Sequence, residues 1–258
     1  MDVKNHWESI YSAKDASEVS WYQREATVSI ELIRQVAPTR TAAILDVGGG
    51  ASTLVDSLVS LGYSDVTVLD IAASALATAR ARLDAKAQRV RWIAGDVLAL
   101  QLPDHSVDVW HDRAVFHFLL LPEDRRRYVE QVRRVLRPNG HVIIATFAED
   151  GPTKCSGLPV ARYDAAQLHD EFGDDFQLLS TIREEHVTPS GGHQRFRYCL
   201  CSFHSQKIIA NPTLRFAVGG EAEARSGSTG DRTETVVRVP RGGTADRHEV
   251  RVCRRALG

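Results

Sequence analysis

Apolar positions fall in short blocks along the chain, and their spacing switches between helical and strand-like periods. Over residues 25–36, Val28, Ile30, Leu32, Ile33 and Val36 fit one face of a helix, and Pro38 follows as a stop. The apolar run Ala43, Ile44, Leu45, Asp46, Val47 reads as a buried strand that ends near an acid and enters the turn Gly48, Gly49, Gly50. A helix over 52–61 closes at Gly62, and 65–70 gives a second strand ending in Asp70. An alanine-rich helix is predicted over 73–87, a third strand over 89–93 and a fourth over 106–110. Tyr128, Val129, Val132, Val135 and Leu136 give a helix over 122–136 its apolar face, and the turn Pro138, Asn139, Gly140 leads into a fifth strand over 141–147.

Strands separated by helical patterns of this length form βαβ units and a parallel sheet. Beyond residue 147 the style changes. A short helix is predicted over 164–172, followed by strands over 176–187 and 195–204, joined through Pro189, Ser190, Gly191 and Gly192. That segment is a hairpin connection, so the pair is antiparallel. The expected fold is therefore α/β: a Rossmann-like, doubly wound, seven-stranded sheet, mostly parallel, with an antiparallel C-terminal hairpin.

Residues 1–22 are polar but aromatic-rich, with His6, Trp7, Tyr11, Trp21 and Tyr22; Trp7 and Tyr11 share one helix face. They read equally as packing residues and as a lid over a flat ligand. Residues 23–210 form the main domain. From about 211 the composition shifts to Gly, Arg, Thr, Ser and Glu, with Phe216 the sole aromatic, and the expectation for 211–258 is a tail too poor in apolar residues to order itself. Within it, 236–239 and 250–252 are candidates for a stray strand pair.

Composition narrows the function classes. The 258 residues suit one α/β domain with appendages, and 32 basic against 33 acidic residues give a net charge of -1. Nothing in that balance draws the protein to nucleic acid, so the expected partner is a small-molecule or protein substrate. No apolar run has membrane-spanning length and residues 1–9 lack a secretory pattern, which predicts a cytoplasmic protein without membrane contact. Cys155, Cys199, Cys201 and Cys253 are too few for a disulfide framework. Cys199 and Cys201 share a strand face near His204, but their spacing is not that of a zinc site, and no metal is expected. A thiol-bound metalloid acceptor is a minor option.

Three acids, Asp46, Asp70 and Asp96, stand at successive strand ends. In an open α/β sheet these ends face one crevice. Asp70, about 20 residues beyond the glycine turn, is placed to accept the two hydroxyls of a ribose. Asp96 can accept from an exocyclic amine such as that of adenine. The glycine turn and the helix after it offer unpaired N–H groups, a nucleotide-type cradle. The dinucleotide spacing nevertheless fails, because Thr53 takes the last glycine position and Asp46 would repel a pyrophosphate. Asp46 suits the ammonium or sulfonium of S-adenosylmethionine better than NAD.

With these residues the chain resembles the class I S-adenosylmethionine-dependent methyltransferases. The resemblance lies in Ile44 to Gly50, in Val68, Leu69, Asp70, Ile71, in Gly95, Asp96, Val97 and in Leu136 to His141, and spans about residues 6–203. Ser52 stands where the family often has a third glycine. A closer similarity is to a subgroup that includes small lysine methyltransferases of citrate synthase and elongation factor. It rests on the aromatic N-terminus and on His111, Asp112, Arg113, Ala114, Val115, Phe116 and His117. The resemblance implies S-adenosylmethionine as cofactor, with Trp7, Tyr11, Trp21, Gly48, Asp70, Ile71, Asp96, Val97 and Arg113 in contact with it; Arg113 replaces the family's Lys. Asp46, Gly49 and Gly50 complete the expected cofactor set.

The implied reaction is in-line attack on a sulfonium methyl, in which positioning supplies most of the catalysis and a base is needed only for a protonated acceptor. His111 and Asp112 are the residues expected to line the reacting end, with His117 a third candidate. Fold and cofactor do not fix the acceptor. Two other classes remain: an NAD-dependent oxidoreductase on a similar sheet, and a non-catalytic S-adenosylmethionine-binding protein.

Overall fold

The computed structural model describes residues 2–204 and the strand residues 236–237 and 250–251. The chain divides into two units, Met1–Ile208 and Ile209–Gly258. In chain order the first unit contains α1 (Val3–Ala13), α2 (Thr27–Val36), β1 (Ala43–Val47), α3 (Leu54–Ser60), β2 (Asp65–Asp70), α4 (Ala73–Leu83), β3 (Val90–Ala94), β4 (Val107–Arg113), α5 (Pro122–Val135) and β5 (Leu136–Phe147). A short ribbon, β6 (Lys154–Cys155) and β7 (Leu158–Pro159), precedes α6 (Ala165–Asp170), β8 (Phe176–Val187) and β9 (His193–Phe203).

All five residues of β1 are buried, as a strand covered on both faces by helices requires. The seven-stranded sheet has the order β3-β2-β1-β4-β5-β9-β8. The strands from β1 to β5 pair in parallel, and β9 runs antiparallel to both β5 and β8. The predicted hairpin is thus present, and its second strand is the one inserted beside β5. Strand order turns between β1 and β4, which opens a crevice at their carboxyl ends.

The alternation of side chains sorts the core into two clusters. One holds Ile33, Ile44, Leu58, Val68 and Ile143; the other holds Leu45, Val47, Trp110, Tyr128 and Ile144. α5 shows why these helices form where they do. Pro122 opens it, Glu123 and Asp124 occupy its first turn, Arg133 and Arg134 its last, and Tyr128, Val129, Val132 and Val135 are buried.

The three largest departures from the expected boundaries have physical reasons. β4 continues past Trp110 because His111, Asp112 and Arg113 pair with Ile143, Ile144 and Ala145, a long-range support that local polarity hides. β5 begins at Leu136, which pairs with Val107 ahead of a register shift, and Asn139 takes a positive φ of 64° within it. The alanine-rich helix ends at Leu83, and Asp84 to Arg89 tighten into a 3-10 turn.

In the second unit, Val236–Val237 pairs antiparallel with Val250–Arg251. The rest of the predicted 211–258 tail, with Phe216 and Cys253, lies outside the described residues. Among the described residues no helix is long and apolar enough to cross a membrane.

The α5 side of the sheet carries a buried polar chain. Trp110 Nε1 donates to Tyr128 Oη at 2.8 Å, and Tyr128 Oη donates to Asp112 Oδ2 at 2.5 Å. Removing that hydroxyl strands the Trp110 donor and leaves Asp112 Oδ2 with Phe116 N alone. Tyr128→Phe should therefore cost about 1–3 kcal/mol in urea denaturation, and unchanged stability would contradict this role.

Candidate functional site

The carboxyl ends of β1, β2, β3 and β4 open into a cavity with about 860 Å3 of space outside atoms, part of it continuous with solvent. Gly48, Asp70, Ile71, Asp96, Val97 and Arg113 line it, as do the N-terminal aromatics Trp7, Tyr11 and Trp21. The structure thus brings together nine residues expected to surround one ligand. A smaller space of about 550 Å3 shares Tyr11, Trp21, Gly48 and Arg113 with it and adds Asp46, Gly49, Ser29 and His111.

The N-terminal segment is stitched across these openings. Glu8 accepts from Ala73 N at 2.7 Å and Ser74 N at 3.2 Å, capping α4, whose own N-cap Ala72 has no side chain for the task. The nearby Ser74 side chain and those two amides hold the Glu8 carboxyl below its usual range. Past α1, His186 Nε2 meets Ser20 O at 2.8 Å, and Gln23 Nε2 donates to Glu184 Oε1 at 2.7 Å. Between these anchors Trp7 packs edge-on against Trp21 and Phe118, with ring centroids 5.7 and 5.2 Å apart.

The glycine turn is shaped for close approach and leaves little for a phosphate. Gly48 has φ 67°, and a Cβ there would collide with Val115. A Cβ on Gly50 would stand 2.6 Å from Asp70 Oδ2, although Gly50 lines neither space. Gly48 N and Gly49 N both donate to Leu69 O, at 2.7 and 3.2 Å. The cradle expected from sequence is therefore closed by the neighbouring strand at its first two amides.

Asp70 is 7% exposed and accepts from Ala72 N at 2.8 Å. Burial raises its carboxyl to about 7; the Ala72 amide opposes the rise, and the charges of Asp46 and Glu8 add to it. Asp96 is exposed at the cavity rim, where Oδ1 caps a 3-10 turn by accepting from Leu98 N at 2.9 Å. Tyr11 is pushed well above the ordinary phenol value by burial, with the Asp70 charge adding to this, so it keeps its hydroxyl hydrogen.

Asp46 and His111 meet in a buried pair, with Oδ1 2.7 Å from Nδ1, and His111 Nε2 lies 2.8 Å from Ser29 Oγ. Both nitrogens of His111 are thereby engaged. Asp46 Oδ2 is buried without any partner. Asp112 is not brought to either space. Its side chain lies on the opposite face of β4, accepting from Val115 N at 2.8 Å, Phe116 N at 3.1 Å and Tyr128 Oη. Successive residues of a strand point to opposite faces, so His111 and Asp112 do not share one site. Burial raises the Asp112 carboxyl to about 6, and those donors oppose the rise. It organises the turn in which Ala114, at φ 78°, sends the chain along the cavity wall.

His117 is fully buried, and its Nδ1 accepts from Phe147 N at 3.3 Å. Burial, then the Arg113 charge, lowers it to about 3. Arg113 reaches the floor between the two spaces already neutralised. It pairs with Glu184 at 3.2 Å, donates to Tyr198 Oη at 3.0 Å and stacks 3.9 Å over Phe196. Cys155 lines the larger cavity as a thiol raised to about 12 by burial. Cys199 and Cys201 lie in the core, and no group of three or more His, Cys, Asp or Glu among the described residues could hold a metal ion.

Sequence reading passed over Ser29, Glu184 and Glu8. Ser29 sits beside Ile30 with Leu32 and Ile33 one turn on, a hydroxyl on an apolar helix face, and Glu184 falls in the inward phase of an alternating strand. Both were available as polar residues in apolar phase. Glu8 carried no such mark.

Residues 45–144 match the family described as a methyltransferase domain. The ubiquinone/menaquinone biosynthesis C-methyltransferase UbiE of Roseobacter denitrificans is 31% identical over 117 residues, which are 44% of this chain and 46% of that protein. Human EEF1A lysine methyltransferase 2 is 22% identical over 196 residues, covering 70% of this chain and 77% of that one. The chain thus spans less than half the length of the first of these relatives. A Burkholderia thailandensis 1,6-didemethyltoxoflavin-N1-methyltransferase, solved with bound 1,6-didemethyltoxoflavin and S-adenosylhomocysteine, superposes with a TM-score of 0.57 at 19% identity, over 78% of this chain and 84% of that one. That likeness concerns the fold.

The raised Asp70 carboxyl fixes a pH dependence. An acid whose value rises from 3.8 unfolded to about 7 folded favours the folded state below about 4, and this contribution is lost as pH rises to about 7. In urea denaturation, Asp70→Asn should gain stability relative to the parent over that window, by at most about 1.4 kcal/mol per pH unit. A difference that stays constant between pH 5 and pH 8 would contradict the burial argument.

Proposed function

We propose, for a chain that carries a class I S-adenosylmethionine-dependent methyltransferase domain, that it binds S-adenosylmethionine across the larger cavity and the adjoining smaller space and transfers the methyl group to a protein or small-molecule acceptor. The observation that carries this reading is the pair of buried strand-end acids beside a glycine turn whose first two amides are already bonded. Such a site rejects a pyrophosphate and accepts hydroxyls and cations, which disfavours the NAD-dependent alternative.

The fit is residue by residue. Asp70 accepts the ribose hydroxyls, its ionised form being the competent acceptor. Asp96 keeps an oxygen for an exocyclic amine, with Ile71 and Val97 as apolar walls. Asp46 Oδ2, a buried acceptor without a donor, suits an ammonium. Gly48, Gly49 and Gly50 keep the turn thin enough for close approach. S-adenosylmethionine, when bound, supplies a methyl group already activated on a sulfonium. Trp7, Tyr11, Trp21 and Phe118 exclude water from that end and turn ring faces and edges toward it. Arg113, tied to Glu184, sets the floor on which an acceptor is positioned.

General-base catalysis is not part of this proposal. His111 has both nitrogens bonded, Asp112 faces away, and His117 is sealed in the core. The acceptor arrives with a free lone pair or loses its proton to solvent, and catalysis rests on orientation. The acceptor is a protein or small molecule rather than nucleic acid, in keeping with the balanced net charge of -1. The protein works in the cytoplasm, where its buried cysteines stay reduced, and residues 1–22 act as the lid of a domain over 23–210.

Incubation with methyl-labelled S-adenosylmethionine and fractionated cell lysate tests the activity. Label should move into a protein or a small-molecule fraction, and Asp70→Ala should cut both transfer and cofactor affinity by about tenfold or more. Labelling that is absent with the parent would leave a non-catalytic binding protein, and labelling undiminished by Asp70→Ala would remove the ribose contact.

A further inference from the structure

The hydrogen-bonded series Ser29, His111, Asp46 is the most deeply buried polar arrangement at the site. Its members come from α2, β4 and β1 and are 1%, 2% and 2% exposed. Its geometry resembles a proton relay, yet the end that would have to be free is not. A carboxylate oxygen accepts, so with Asp46 as the carboxylate the hydrogen of this bond sits on His111 Nδ1, which donates to Oδ1. The far nitrogen is held by the Ser29 hydroxyl. What remains free is the second carboxylate oxygen, Asp46 Oδ2, which is buried and unpartnered on a residue lining the smaller space.

A buried carboxylate with one idle oxygen costs free energy unless something uses it. The terminal torsion of an aspartate is soft, so without a partner on Oδ1 the carboxylate could turn and share its oxygens differently. His111 prevents that, and Ser29 prevents the ring from turning. Arg113, the arginine lining the same space, is committed to Glu184, to Tyr198 Oη and to the Trp21 carbonyl at 3.4 Å.

We propose that His111 and Ser29 are positioning residues that lock Asp46 so that Oδ2 is held open for the alkylammonium of the amino-acid end of the cofactor. This rests on the S-adenosylmethionine reading. It moves His111 from the reacting end to the recognition of one part of the ligand, the charged tail rather than the adenosyl group. Specificity follows: the lock matters to ligands that carry an ammonium and not to those that lack one.

Calorimetric titration with two ligands separates these effects. S-Adenosylhomocysteine has the amino-acid end; 5'-methylthioadenosine keeps the adenosyl thioether without it. For His111→Leu the affinity for S-adenosylhomocysteine should fall about tenfold or more, while that for 5'-methylthioadenosine stays within about twofold. His111→Asn, whose amide can still donate to Oδ1, should recover most of the loss. Ser29→Ala should give a smaller loss with the same selectivity, and it decides the matter if His111→Leu does not fold. Equal losses for both ligands, or no loss for either, overturn the positioning role. Failure of the parent protein to bind S-adenosylhomocysteine would instead overturn the functional reading beneath it.

Discussion

The two-residue alternation of β1 and β4, where the strand order turns, is the constraint on which the site depends. It sends Asp46 and His111 to the α2 side and Val47, Trp110 and Asp112 to the α5 side, across a sheet buried on both faces. Each side then solves its own polar problem. On the α5 side Asp112, Tyr128 and Trp110 satisfy one another and fix the turn that forms the cavity wall. On the α2 side Ser29, His111 and Asp46 satisfy one another except for one oxygen. The sheet has, in effect, one finished polar cluster and one left incomplete beside a cavity.

Electrostatics follow from that placement. Asp46, Asp70 and Glu8 lie close enough for their charges to push the Asp70 carboxyl upward once burial has raised it. The one arginine lining these spaces is neutralised by Glu184. A crevice of this kind stabilises donors and cations, and the amides of Gly48 and Gly49, spent on Leu69, give an anion little compensation. The N-terminal segment completes the enclosure by bridging two distant supports, the bare N-terminus of α4 and the β8–β9 hairpin.

The sheet was legible because its signals are local: apolar runs ending in acids, glycine turns and a hairpin segment. The acids and aromatics of the site were legible because position at a strand end, or one shared helix face, implies convergence. The limits were those of tertiary contact. Local polarity ends the β4 signal at Trp110, which hides the phase that separates His111 from Asp112. The amides of Gly48 and Gly49 look free in the sequence because Leu69 reaches them only across the sheet. Ser29 acquires meaning through a residue 82 positions away, and Glu8 through one 65 positions away. The acceptor has no such mark in the sequence.

The central claim is that this crevice selects an adenosyl ligand with a cationic tail over a dinucleotide. Isothermal titration of the protein with S-adenosylhomocysteine and, separately, with NADH tests it most directly. The account predicts saturable one-to-one binding of S-adenosylhomocysteine and no saturable heat with NADH. Binding of NADH without binding of S-adenosylhomocysteine would contradict it.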